Sequence, residues 1–283
     1  MDIVYARPGG VEVKLDLYLP VGPCPFPVVI LVHGGGWHKG DKALPAHPRS
    51  LRAFRGGDGF ALASVNYRLS PRYKFPACIE DVKAAVRFLR AHAAEYHLDP
   101  HRFAAWGLSA GGHLVGLLGL ADRSAGWDVG DHLDQSSAVQ AVAEWYGGND
   151  LQHFLSPAGR QGIQETFLPQ DLARGSPITW VQRRAPPFFI VQGEEDVLVP
   201  AAQARLLADR LRHAGVPVTL VLVRHAGHGL RPVGGSPDPP LTSILSRQWA
   251  FFRRTLQPMR SKGPADRLEK NALKVNTVPF QPW

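Results

Sequence analysis

The sequence predicts an α/β fold in which helices cover both faces of a mainly parallel central sheet. Short, continuously apolar runs recur along the chain, beginning with Pro-Val-Val-Ile-Leu-Val at 27–32, and such runs are typical of strands buried on both faces. Segments with apolar residues at helical spacing lie between these runs. Strands that alternate with helices in this way build a parallel sheet wrapped by helices.

The individual elements follow from these two patterns. Residues 11–19 alternate apolar and polar side chains, which is typical of a half-buried edge strand. The buried strands are expected at 27–32, 60–65, 102–106, 138–143, 187–191 and 218–223. The helices are expected at 77–94, 109–121, 200–213 and 240–256.

The alternation of strands and helices defines one domain over residues 1–256, with two stretches that fit it poorly. Residues 122–137 are polar and turn-rich, and residues 149–186 contain several Pro and Gly breaks. Long insertions in a compact domain often bind ligands, so both stretches are candidate covers of a pocket. Apolar periodicity stops near the end of this domain, and the basic segment 257–283 is predicted to be flexible.

The composition excludes several classes of protein. Hydrophobic residues make up 45% of the 283 positions, an ordinary globular share, and no apolar run approaches the roughly 18 residues of a membrane span. The net charge of +8 is spread along the chain, which favours a solvated basic surface over nucleic-acid binding. Two cysteines, Cys24 and Cys78, are expected to stay reduced, and no signal-peptide pattern is present. We expect a cytoplasmic protein with no nucleic-acid or membrane partner; its oligomeric state stays open.

The pentapeptide Gly-Leu-Ser-Ala-Gly at 107–111 is the first of four chemical signals. It joins a predicted strand to a predicted helix. A sharp turn of this kind exposes a serine hydroxyl, and only small residues two positions on either side allow the turn to close. Gly107 and Gly111 are these small residues, so Ser109 is the candidate nucleophile. Alone, the pentapeptide is a weak signal, because short motifs also occur by chance.

A glycine-rich loop, His-Gly-Gly-Gly-Trp at 33–37, follows the strand at 27–32. Consecutive glycines allow a backbone to approach a ligand closely and to direct its N–H groups outward. Attack on an ester carbonyl creates an oxyanion, which preorganised amides stabilise by about 3–4 kcal/mol per donor. The amides of Gly35, Gly36 and Ala110 are the candidate oxyanion hole. A flexible turn between strand and helix is the alternative interpretation of the three glycines.

The loop after the strand at 187–191 offers three acids, Glu194, Glu195 and Asp196. A carboxylate in this position can orient a histidine and stabilise the imidazolium that forms. Asp196 stands beside the apolar residues 197–199, where a buried carboxylate is expected, so it is the candidate acid. The two glutamates are expected to be solvated loop charges.

The loop after the strand at 218–223 contains two histidines, His225 and His228. An imidazole beside glycines can reach the serine and act first as general base and then as general acid. His228 lies between two glycines, further out on the loop, and is the candidate base. His225 is expected to pack locally or to face water.

The remaining histidines show no paired spacing of metal ligands, so neither a metal nor a cofactor is predicted. His33 is expected to brace the glycine loop, and His113 to have a structural role against the sheet. Side chains near the strand ends are candidate pocket walls, although such aromatic residues are more often simply core. They are Trp37, Trp145, Tyr146, Phe154, Phe167 and Leu198. Of these, Trp37 and Leu198 are predicted to contact substrate.

These motifs together resemble the α/β-hydrolase fold esterases, in the branch of hormone-sensitive-lipase-like and feruloyl-esterase-like carboxylesterases. The resemblance covers about residues 11–256 and implies the same catalytic residues, in the chain order Ser109, Asp196, His228. It also implies that Gly35, Gly36 and Ala110 are the oxyanion donors. The matching segments are 33–37, 66–71 (Asn-Tyr-Arg-Leu-Ser-Pro), 107–112, 196–200 and 225–229.

One departure from this family narrows the expected substrates. Hormone-sensitive-lipase-like esterases usually carry a helical cap of several dozen residues before the glycine loop, whereas 32 residues with strand patterns precede His33 here. The chain is therefore more similar to the capless, feruloyl-esterase-like branch. Small to medium esters with short-chain acyl or aryl groups are the expected substrates.

Two other functions stay open for the same residues. Amide hydrolysis, as by an arylformamidase, passes through the same oxyanion, so the triad does not separate it from ester hydrolysis. The other is a non-catalytic binding protein on a hydrolase fold. Such proteins commonly lose the serine or the histidine, and both are present here.

Overall fold

A computed structural model of the chain describes residues 2–43, 59–154 and 156–256. The segment 257–283, predicted to be flexible, lies outside the described residues. The strands of the sheet are β1 (Ile3–Ala6), β2 (Val13–Tyr18), β3 (Phe26–Val32), β4 (Ala61–Val65), β5 (Leu98–Leu108), β6 (Ala141–Trp145), β7 (Phe188–Gly193) and β8 (Val218–Val223). The α-helices of the described residues are α1 (Ala77–Ala91), α2 (Ala110–Leu120), α3 (Pro157–Thr166), α4 (Ala201–His213) and α5 (Leu241–Thr255).

The strands form one sheet in the order β1-β2-β4-β3-β5-β6-β7-β8. Only β1 and β2 run antiparallel to their neighbours, so the predicted mainly parallel sheet is confirmed. The register places Val32 beside Gly107 and Leu108 beside Trp145. The carboxyl ends of β3, β5 and β6 therefore meet at one edge, and their loops lie close together.

Helices cover both faces of this sheet, as predicted. Successive side chains of a strand point to opposite faces, so Ile30 and Leu31 of β3 enter different cores. One core lies under α1, α2 and α4, and the other lies under α5, where Trp249 packs against Trp106 of β5 and against Phe252. Burial of each such side chain stabilises the fold by about 1.5–3 kcal/mol.

Two predictions about the elements are wrong. The segment 11–19 is not the edge of the sheet, because β1 pairs with β2 and takes the outer position. Helix α3, which begins at Pro157, was not expected within 149–186. Gly159 and Gly162 lower its helix propensity and interrupt the apolar spacing that would have indicated a helix.

The segment 122–137 packs against α1 through a buried ionic cluster. Lys83 and Arg87 of α1 each lie 2.9 Å from a carboxylate oxygen of Asp128. All three side chains are at most 5% exposed, so loss of the carboxylate would leave two buried charges unpaired. The role of 122–137 as a pocket cover stays a prediction. None of the helices in the described ranges is long and apolar enough to cross a membrane.

Candidate active site

Ser109 lies at a sharp turn between β5 and α2. Its backbone has φ 55° and ψ −119°, a sparsely populated combination for a residue with a side chain. A Cβ on Gly107 would lie 2.1 Å from the carbonyl oxygen of Gly111. A Cβ on Gly111 would lie 2.1 Å from the carbonyl oxygen of Val32. The turn therefore closes only with glycine at both positions.

The structure brings Ser109, His228 and Asp196 together. Nε2 of His228 lies 2.9 Å from Oγ of Ser109, and its Nδ1 lies 2.8 Å from Oδ2 of Asp196. A carboxylate only accepts, so Nδ1 carries the proton and Nε2 is free to accept the serine hydroxyl. The Asp196 side chain is fully buried, whereas that of His228 is 25% exposed. This geometry suits proton transfer from serine to histidine.

Asp196 is held by its own loop and by β7. Its Oδ1 accepts the amides of Leu198 and Val199 at 2.9 and 2.8 Å. Nε2 of Gln192 donates to Oδ2 at 3.1 Å and also to the carbonyl oxygen of Val199 at 3.0 Å. Sequence reasoning missed Gln192; the available signal was an amide that follows the apolar run of β7.

The other two acids of this loop have different roles. Glu194 pairs with Arg205 of α4 at 3.0 Å. Oε2 of Glu195 accepts the amide of Ala226 at 2.8 Å, and this hydrogen bond lowers the pKa of Glu195. Glu195 is thus a partly exposed charge that also braces the acid loop against the histidine loop.

The two histidines of the last loop are separated in the structure. His225 is exposed and lies against Gly235, where a Cβ would be 3.0 Å from its Cγ. His228 contacts the ring of Tyr146 edge-on, with 5.1 Å between ring centroids. Burial raises the pKa of Tyr146, so this phenol stays neutral beside the imidazole.

The glycine loop lies directly beside the serine turn. A Cβ on Gly34 would lie 2.7 Å from the carbonyl oxygen of Leu108, so the two backbones touch. Within the described residues, the amides of Gly35, Gly36 and Ala110 have no hydrogen-bond acceptor. These amides and the N-terminus of α2 create a positive potential suited to an anion. His33 braces the loop, because its Nδ1 lies 2.7 Å from the carbonyl oxygen of Gly34.

The two predicted substrate contacts differ in burial. Trp37 is 7% exposed, and its indole N–H donates to Nδ1 of His113 at 3.2 Å. Leu198 is half-buried on the acid loop next to Asp196. Contact of either residue with substrate stays a prediction. His113, expected to have a structural role against the sheet, is fully buried and also bonds to the glycine loop.

A buried acid, Glu144, lies on β6 behind the serine turn. One of its oxygens accepts the amide of Gly147, and burial raises the pKa of Glu144 to about 8. Its Oε2 is buried and has no hydrogen-bond partner among the described residues. Burial is the largest influence on the pKa of this carboxyl, so we infer that the residue is a neutral acid near pH 7. Sequence reasoning missed it, although an acid within an apolar strand was a signal.

No group of three or more His, Cys, Asp or Glu side chains in the described ranges is arranged to hold a metal ion.

The sheet order, and the serine turn at its carboxyl edge, are those of the α/β-hydrolase fold. Solved esterase structures have this fold. The truncated form of a carbohydrate esterase from gut microbiota superposes with a TM-score of 0.77 and 26% identity, over 91% of this chain and 95% of that one. Esterase Est2 from Thermogutta terrifontis, with propionate bound, has a TM-score of 0.75 and 25% identity, over 91% and 96%.

The chain belongs to the BD-FAE family, which matches residues 15–211. Among curated relatives, esterase LipQ of Mycobacterium tuberculosis is 36% identical over 229 residues, or 76% of this chain. The chain spans about half the length of the curated relatives it matches, 53% in the case of LipQ. The family and the fold are thus established, whereas the activity is a matter for proposal.

Proposed function

We propose that this protein is a serine carboxylesterase that hydrolyses small to medium esters with short-chain acyl or aryl groups. The observation that carries the proposal is the hydrogen-bonded series Ser109, His228, Asp196 at the carboxyl edge of the sheet. Its position beside the glycine loop and the esterase names of its relatives support ester chemistry. The cytoplasm, expected from the composition, is the proposed location.

The proposed reaction is acyl transfer in two steps. Ser109 attacks the ester carbonyl while Nε2 of His228 takes the hydroxyl proton, and Asp196 stabilises the imidazolium. The amides of Gly35, Gly36 and Ala110 stabilise the oxyanion. The oxyanion collapses to an acyl-enzyme, and the leaving alcohol receives the proton from His228. Water then attacks the acyl group by the same route, which frees the acid and the serine.

The ligands bound to one structural relative support short acyl groups as the substrates of this chain. Structures of Est2 contain propionate and butyrate, which are short-chain acids and thus the products expected of short-chain esters. We therefore propose that acetyl to butyryl esters are hydrolysed faster than long-chain esters by this chain.

The test is hydrolysis of p-nitrophenyl acetate and butyrate by the wild type and by Ser109→Ala. The substitution removes the nucleophile, so kcat should fall by about 10⁴–10⁶-fold. His228→Ala should have an effect of similar size, whereas the matched change His225→Ala should leave kcat within about two-fold. If Ser109→Ala keeps most of the activity, Ser109 is not the nucleophile. N-formylkynurenine in the same assay would reveal an amide hydrolase instead.

A further inference from the structure

One buried histidine joins three parts of the molecule near the proposed site. His113 lies in the first turns of α2, is 0% exposed, and uses both of its ring nitrogens. Its Nδ1 lies 3.2 Å from the indole nitrogen of Trp37, and its Nε2 lies 2.6 Å from the carbonyl oxygen of Gly175. The imidazole therefore connects the helix after the serine, the glycine loop and the insertion 149–186.

The two partners fix the tautomer of this ring. An indole N–H only donates, so Nδ1 of His113 must be the acceptor. A carbonyl oxygen only accepts, so Nε2 must carry the proton. Burial lowers the pKa of His113 to about 4, so the neutral ring that makes both bonds is the form present near pH 7.

The glycine loop needs an external support of this kind. Gly35 and Gly36 have φ values of 116° and 61°, which glycine adopts readily, but Trp37 follows with φ 64°, which is uncommon for a bulky side chain. Such a backbone persists only when its surroundings hold it. The indole ring contacts His113 and Phe167 edge-on, with ring centroids 5.2 and 5.3 Å away, and these two rings also contact each other.

We propose that His113 is a positioning residue that holds Trp37 and thereby directs the amides of Gly35 and Gly36 toward the oxyanion. This inference rests on the proposed esterase function. Of the two hydrogen bonds of His113, the one from Trp37 matters for catalysis, because Trp37 directly follows the two proposed oxyanion donors, Gly35 and Gly36. The bond to Gly175 serves to orient the ring.

Four single variants distinguish the hydrogen bond between Trp37 and His113 from the bond between His113 and Gly175. Trp37→Phe keeps an aromatic ring and removes only the N–H donor. His113→Gln places its terminal amide near Nε2 and loses the acceptor, whereas His113→Asn places an oxygen near Nδ1 and keeps it. Trp180→Phe is the matched control, since the Trp180 indole donates to the carbonyl oxygen of Arg174 in the same insertion, at 2.7 Å.

We expect Trp37→Phe and His113→Gln each to lower kcat for p-nitrophenyl butyrate by about 10–100-fold, while KM changes by less than about three-fold. Complete removal of an oxyanion donor costs about 10²–10³-fold, and a displaced donor should cost less. His113→Asn should recover most of the loss. The double variant Trp37→Phe/His113→Gln should be no worse than either single one, because both break the same bond.

A second readout excludes a merely structural role. A trifluoromethyl ketone forms a tetrahedral oxyanion on the serine, so its affinity should fall by the same factor as kcat in each variant. The inference is overturned if Trp37→Phe keeps its kcat, or if His113→Asn is as impaired as His113→Gln. The fraction of active enzyme in each variant is counted by titration with a fluorophosphonate. The inference is also overturned if this fraction falls while each active molecule keeps the wild-type kcat, because the variants would then only be partly misfolded.

Failure of the esterase proposal is distinguishable from failure of this inference. Hydrolysis that depends on Ser109 but is unchanged in Trp37→Phe would overturn the inference alone. If the wild type hydrolyses no ester, the rate at which a fluorophosphonate labels Ser109 replaces kcat, because its phosphoryl oxygen needs the same donors. A serine that the probe does not label would overturn both.

Discussion

Asp196 shows how strongly one carboxylate can be oriented by its surroundings. Four N–H groups donate to it: the amides of Leu198 and Val199, Nε2 of Gln192 and Nδ1 of His228. Each oxygen receives two of these donors, so rotation of the carboxylate would break all four bonds. The carboxylate therefore fixes the imidazole plane, which keeps Nε2 directed at the serine.

Asp196→Asn tests this role of the acid. The amide has nearly the same shape, but it can donate to Nδ1 and so favours the wrong tautomer of His228. We expect kcat to fall by about 10⁴-fold in the p-nitrophenyl butyrate assay, as for the equivalent change in a serine protease triad. Glu194→Gln is the matched control on the same loop and should change kcat by less than two-fold. A large loss in the control and none in Asp196→Asn would assign the acid to Glu194.

The sequence proposes Asp196 as the acid but does not reveal the groups that support it. Asp196 stands next to three apolar residues, a local pattern that indicates a buried carboxylate. The contact between Trp37 and His113 spans 76 positions, and both residues had other plausible interpretations. Residue-level patterns identify chemistry within a few positions, whereas long-range hydrogen bonds depend on packing that no local pattern records.

At the scale of elements, the serine turn is defined by how closely β3, β5 and α2 approach one another. Gly111, in the first turn of α2, sits against the end of β3, and Gly107, at the end of β5, sits against Gly111. These contacts fix both the angle at which α2 leaves the sheet and the position of Ser109. The glycine loop leaves β3 at the same place, so one crowded junction sets both halves of the proposed site.

Gly111→Ala should disrupt this junction. Its Cβ would lie 2.1 Å from the backbone oxygen of Val32, which cannot move without shifting β3. We expect a lower melting temperature, from overpacking of about 1–3 kcal/mol, and a kcat at least 10²-fold lower because the serine is displaced. Gly162→Ala in α3 is the matched control for stability: its Cβ would lie 3.4 Å from the carbonyl oxygen of Gly36, an ordinary contact, and the helix should gain up to about 1 kcal/mol. Equal changes in melting temperature would contradict the crowding argument.

The elements that sequence patterns missed are the short and the interrupted ones. β1 has four residues, too few to show an alternating pattern. Because β1 was not predicted, β2 was interpreted as the edge strand although it lies inside the sheet. Helix α3 begins at Pro157 and contains two glycines, so its intrinsic tendency to form is weak and tertiary contacts support it. Longer apolar runs, as in β3 and β7, were located correctly because burial on both faces leaves an unmistakable pattern.

At the scale of the whole molecule, two buried groups oppose each other in the pH dependence of stability. Burial raises the pKa of Glu144 to about 8, from 4.5, so the folded state keeps a proton that the unfolded chain loses. Stability from this group is lost as pH rises from about 4.5 to 8. Burial lowers the pKa of His113 to about 4, from 6.5, so the stability it contributes above pH 6.5 is lost as pH falls toward 4.

Between about pH 4.5 and 6.5 the two effects cancel, and above pH 6.5 only that of Glu144 remains. The wild type should therefore lose about 2 kcal/mol of unfolding free energy between pH 6.5 and 8 relative to Glu144→Gln, which mimics the neutral acid and does not titrate. Urea unfolding of both proteins at several pH values measures this difference. A constant difference would mean that Glu144 is already ionised in the folded protein. In that case a negative charge would lie beside Gly112, in the first turn of α2, at pH 7, where it would oppose the charge of the oxyanion.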